Sequence, residues 1–108
     1  MDVKAFGSLV YQVAKEHGFW EDNGVPVSTK KAEKIALMHS ELSEALEGIR
    51  KPIPDKYCPE FSNEEVEFAD LLIRLLDYSE HYGLRLVEAA IAKNEFNQKR
   101  PYKHGKTI

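Results

Sequence analysis

The chain has 108 residues, 15 Lys plus Arg against 18 Asp plus Glu, and a formal net charge of -3. That length suits a single domain over residues 1–108, and 43% apolar with 31% charged residues describes a soluble globular protein. Mild acidity argues against bulk nucleic-acid binding, which relies on Lys and Arg neutralising phosphates. The lone Cys58 excludes an internal disulfide and any CxxC zinc or redox motif. No apolar run approaches the ~20 residues of a membrane span, and Met1-Asp2-Val3-Lys4 has no apolar leader region. The expected setting is cytoplasmic, with no membrane partner.

In chain order, Val3, Phe6, Val10 and Val13 recur at helical spacing, which predicts a first helix from about Asp2 to His17, ended by Gly18. The stretch Phe19 to Val27 holds Asn23-Gly24 and Pro26, which are turn residues. Ser28 or Thr29 is suited to cap a second helix. Its apolar stripe is Ile35, Met38, Leu42, Ala45, Leu46 and Ile49, and Pro52 and Pro54 forbid its continuation. Ser62 with Glu65 three residues later is a capping-box signature. It predicts a third helix from about Asn63 to His81, closed by Gly83. That helix is apolar over more than half its circumference, so it must bury two sides, and a second subunit is expected against it. A fourth helix is expected from about Leu84 to Lys99, closed by Pro101. The predicted fold is an all-α four-helix bundle completed by oligomerisation.

The acidic residues lie where a core would continue. Glu41 and Glu44 are three apart and border the apolar stripe of the second helix. Glu67 and Asp70 repeat that spacing on the third helix, and Arg74 and Asp77 extend the same narrow polar stripe. If the two helices pack antiparallel, four carboxylates converge, and their repulsion requires cations. Oxygen-only ligand sets select hard divalent ions, Mg2+ first and Mn2+ as a substitute. Magnesium keeps waters and shares its shell with phosphate, which makes a phosphate ester or anhydride the natural ligand. The competing explanation is a set of solvated acids with local Lys and Arg partners. On the fourth helix Lys93, Asn97 and Arg100 form one stripe, with His104 in the tail beyond. Two cations and an amide on one face suit a polyphosphate, although a basic last turn also complements the helix dipole.

The segment Leu37-Met38-His39-Ser40-Glu41-Leu42-Ser43-Glu44-Ala45-Leu46-Glu47 resembles the first metal motif of the MazG-like nucleoside triphosphate pyrophosphohydrolases. Glu67-Phe68-Ala69-Asp70-Leu71-Leu72-Ile73-Arg74 resembles their second, ExxD. The stretch from Lys93 to Lys106 is similar to their C-terminal phosphate-binding segment. Many relatives have EExxE where Ser40 replaces the first acid here, so the chain is similar to the ExxE branch. The resemblance implies cleavage of a nucleoside triphosphate between its α and β phosphates, with Glu41, Glu44, Glu67 and Asp70 as magnesium ligands. It also implies a homodimer or homotetramer. Within that expectation Glu41 or Glu44 serves as general base, and the residues do not choose between them. Lys93, Asn97, Arg100 and His104 bind the phosphates, and Trp20 or Phe19 stacks on the base. Two alternatives stay open: a non-catalytic helical interaction module, and a phosphoribosyl-ATP type of pyrophosphohydrolase.

Charge is unevenly spread. Residues 93–108 carry five Lys and Arg against Glu95, a local +4, so the preceding 92 residues carry -7 of the total. An acidic body with a basic end suits carboxylates holding a metal while the C-terminal segment holds phosphates.

Overall fold

The computed structural model describes residues 1–23, 25–26 and 30–105. It contains four helices: α1 Val3–Glu16, α2 Lys31–Arg50, α3 Asn63–His81 and α4 Leu86–Gln98, followed by a 3-10 turn Tyr102–Gly105. The fold is all-α apart from one two-residue antiparallel pair in the α1–α2 connection, β1 Glu21–Asp22 with β2 Val25–Pro26. Asn23, between the strands, holds a left-handed φ of 53°, a conformation its short side chain tolerates. Among the described residues no helix is long and apolar enough to cross a membrane.

Local chemistry sets most boundaries. The Asp2 carboxylate accepts from the Ala5 N–H at 2.8 Å and starts α1. The capping box of α3 is complete: Ser62 Oγ accepts from the Glu65 N–H while Glu65 Oε1 accepts from the Ser62 N–H. At the other end Gly83 takes a φ of 65°, which stops the helix. Ser28 and Thr29, the expected caps of α2, lie outside the described residues. The N-cap position of α2 is occupied by Lys30, which makes no side-chain capping bond. The fourth helix begins two residues later than its periodicity suggests. Leu84 is held to the end of α3, its N–H donating to Ser79 O and its carbonyl accepting from Ser79 Oγ.

Helix α3 is the centre of the molecule and packs on both α1 and α2. The α2–α3 pair is antiparallel, since Glu41 meets Arg74 while Gly48 meets Glu64. The close approach at the second point depends on a missing side chain: a Cβ on Gly48 would lie 3.0 Å from Glu64 N and 3.3 Å from its Cα. Helix α4 packs lightly and buries no residue; a Lys4–Glu88 ion pair at 3.3 Å ties it to α1.

The core is small. Among the described residues only Val10, Trp20, Ala45 and Leu76 are buried apolar side chains. Leu42, Leu46 and Ile49 on α2, and Phe68 and Leu72 on α3, are about half exposed. The radius of gyration is 16.6 Å, against about 13 Å for a compact chain of this length. One chain alone therefore leaves the apolar faces of α2 and α3 open to solvent.

Replacing Gly48 with alanine adds helix propensity worth about 1 kcal/mol but forces a methyl against the backbone of α3, which costs about 1–3 kcal/mol. Urea denaturation of Gly48→Ala is expected to show a net loss near 1 kcal/mol. A gain in stability would mean that the two helices part without cost.

Candidate metal and phosphate site

Antiparallel packing brings Glu41 of α2 to Glu67 and Asp70 of α3. Each offers a carboxylate oxygen, and these three atoms lie within 4.8 Å of one another. Glu41 is only 7% exposed, so water does little to screen it. Glu44 falls outside this group of three, yet its carboxylate meets that of Glu67. Of the four expected ligands, three converge and the fourth adjoins them.

The electrostatics record the crowding. Loss of hydration pushes the Glu67 carboxyl up to about 7, and the adjacent Glu44 and Glu41 carboxylates push in the same direction. Burial, then the charge of Glu41, likewise raises Asp70, while Arg74 opposes the shift. Arg74 is the local compensating cation: its Nε donates to Glu41 Oε1 at 2.9 Å. One guanidinium does not satisfy the site. Glu41 Oε2 and Glu67 Oε2 are buried with no hydrogen-bond partner. Two orphaned carboxylate oxygens beside a third acid fit a hard divalent cation, which takes oxygen ligands and removes the repulsion.

Of the expected phosphate-binding residues, Lys93 and Asn97 lie on α4, and Arg100 lies just past its Lys99 C-cap. Lys93 Nζ lies 4.6 Å from the centroid of the Phe96 ring, and Arg100 Cζ lies 5.7 Å from it, so both cations flank one aromatic ring. Asn97 Oδ1, on the same stripe, is buried without a partner. His104 lies in the 3-10 turn beyond. Lys93, Asn97 and Arg100 are not among the residues that line the cavity onto which Glu41 and Asp70 open.

Trp20 is turned inward. Its side chain is 6% exposed, its ring stacks on His81 at 3.6 Å between centroids and 6° between planes, and Nε1 donates to Asp77 Oδ1 at 2.8 Å. That packing occupies the face on which a base was expected to stack. Phe19, the other aromatic of the loop, is 64% exposed and borders a cavity of about 280 Å³. Val10, Val13 and Ala14 of α1 supply apolar wall, as do Met38 and Ile73. Glu41, Asp70 and Arg74 open it onto the acid cluster, and Lys34 and Asp77 complete its polar lining. Sequence reasoning gave Lys34 no role, although it precedes Glu41 by seven residues, two helical turns, on the same face.

Compared with protein-family models, curated proteins and solved structures, the chain matches none. Its chemistry therefore rests on its own residues.

A carboxyl raised in the fold favours folding below its unfolded pKa near 4.5 and loses that contribution as pH rises through about 7. The ion-free protein is expected to lose melting temperature between about pH 5 and about pH 8, and saturating magnesium to restore it at the upper end. Glu67→Gln should flatten this profile and remove most of the magnesium effect, as read by differential scanning calorimetry. A magnesium-insensitive melt at about pH 8 would count against a cation site.

Proposed function

We infer that the chain is a magnesium-dependent nucleoside triphosphate pyrophosphohydrolase of the MazG-like kind, hydrolysing its substrate to the nucleoside monophosphate and pyrophosphate. The observation that carries this reading is the convergence of Glu41, Glu67 and Asp70 with two buried, unpartnered oxygens. The ordered ExxE, ExxD and basic C-terminal segments support it, and so does the acidic body with its basic end.

Magnesium, when bound, neutralises the acids and polarises the phosphate chain. Glu41, Glu67 and Asp70 hold it, with Glu44 beside them. Glu41 or Glu44 accepts the proton of the attacking water. Arg74, at the junction of the acids and the cavity, presents its remaining guanidinium N–H groups to phosphate oxygens. Lys93 and Arg100 grip the outer phosphates, and Asn97 and His104 contribute hydrogen bonds. Both cations make no ion pair among the described residues, which leaves their charge available to an anion.

Pyrophosphate release by Glu41→Gln and by Asp70→Asn is expected to fall about 100-fold or more, because each loses a ligand charge and Glu41 also loses a candidate base. Near-wild-type rates in either variant would sink the site. The absence of magnesium-dependent hydrolysis of any triphosphate would favour the alternative of a helical interaction module, which the open apolar faces also suit.

The working form of this reading is a homodimer or homotetramer in which a second copy covers the α2 and α3 faces. Half-exposed Leu46, Ile49, Phe68 and Leu72 supply the contact. Sedimentation equilibrium is expected to give at least twice the 12.4 kDa chain mass, and Ile49→Asp with Leu72→Asp to return it to monomer. A wild-type monomer at working concentration would overturn this part.

A further inference from the structure

Asp77 is the least explained acid of the fold. It is 8% exposed, and among the described residues its one hydrogen bond comes from the neutral Trp20 indole, onto Oδ1. Burying a carboxylate is costly without strong partners. Anchoring an indole N–H needs only one neutral acceptor, which an amide would supply at a lower desolvation cost. Lys34 is drawn into the same cavity. It donates to Phe19 O at 3.0 Å, and burial lowers its pKa despite the raising influence of Asp77. No Lys34–Asp77 ion pair closes within 4.0 Å.

Position makes the pair informative. Lys34 lies seven residues before Glu41 on α2, and Asp77 seven residues after Asp70 on α3. Because the helices are antiparallel, both groups are displaced the same way from the acids, by about 10 Å along the helix axis. Apolar Val10, Met38 and Ile73 line the space between. An apolar slot with an acceptor and a donor inside, a sugar's length from a phosphate site, has the layout of a nucleobase pocket. An apolar side chain from a second copy would leave Asp77 buried and uncompensated.

We propose that this cavity holds the base of the substrate and selects bases carrying an exocyclic amino group, whose N–H donates to Asp77 Oδ2 while Lys34 Nζ donates to the neighbouring ring nitrogen or carbonyl oxygen. The proposal rests on the pyrophosphohydrolase reading. A base with a carbonyl at the amino position turns an acceptor toward the carboxylate, and two acceptors repel.

The test compares amino and keto partners of equal size: dCTP with dUTP, and dATP with dITP. Hydrolysis is measured with magnesium in excess. Binding of the corresponding monophosphates is followed separately through the fluorescence of Trp20, the chain's single tryptophan. The amino member of the accepted pair is expected to win in kcat/KM and in affinity by about tenfold or more. In Asp77→Asn the side-chain oxygen stays on the indole and an N–H2 faces the ligand, so the preference should collapse or invert. Equal use of both members by the wild type overturns the proposal, and this comparison decides alone if Asp77→Asn does not fold. A variant that keeps the wild-type preference also overturns it, leaving Asp77 as an anchor of Trp20 only. Hydrolysis of none of the four triphosphates instead overturns the enzymatic reading beneath it.

Discussion

The ion pair between Arg74 and Glu41 is the contact that lets α2 and α3 lie against each other. Gly48 brings the helices together near one end, and the antiparallel course then commits Glu41, Glu67 and Asp70 to one space. Three acids in that volume oppose the packing that creates them. Arg74 offsets part of the repulsion from within the acid stripe, and loss of hydration together with the neighbouring carboxylates pushes Glu67 up to about 7, which favours its holding a proton. The helix pair is thus assembled around a charge deficit that the chain reduces without removing. Buried acids of this kind cost stability, and they persist in natural sequences where function needs them.

The rest of the interior is arranged around the same pair. Asp77, one helical turn beyond Arg74, fixes the Trp20 indole. Trp20 stacks on His81, and His81 Nδ1 shares a hydrogen bond with the Tyr11 hydroxyl at 3.0 Å. This chain of contacts joins the α1–α2 connection, α3 and α1. Among the described residues the buried side chains are Val10, Trp20, Ala45 and Leu76 together with the polar Glu41, Asp77 and Ser79. The open stripe of α2 and α3 follows from the same economy, since α3 already spends one side on α1 and its polar stripe on the acid site.

Much of this was legible in the sequence. Ser62 and Glu65 marked the start of α3 because a capping box is a local device, and it formed as expected. The acid spacing on α2 and α3 was legible because the i, i+3 rule fixes which side chains share a face. The excess apolar surface of α3 was legible by the same periodicity. What failed to show were the tertiary choices. Nothing local told that Leu84 would be tied back to Ser79, delaying α4 by two residues. Trp20 read as an open loop aromatic because its hydrogen-bond partner is 57 residues away. Lys34 was given no role, since its contact with the Phe19 carbonyl depends on where the α1–α2 connection closes over α2.

The two ends of the charge distribution also take on separate meanings. The acidic body is concentrated by folding: helical spacing and antiparallel packing convert scattered carboxylates into a cluster of hard oxygen ligands short of positive charge. The basic end lies on and beyond α4, a helix that buries no residue of its own and meets α1 through the exposed Lys4–Glu88 pair. Under the proposed function, a substrate carrying several phosphates, with its divalent ion, would have the charge to interact with both. Neutralisation of the acids by the divalent ion would favour the very helix packing on which the site depends. If the acids hold a divalent ion, ion binding and the packing of α2 on α3 are coupled through that one electrostatic term.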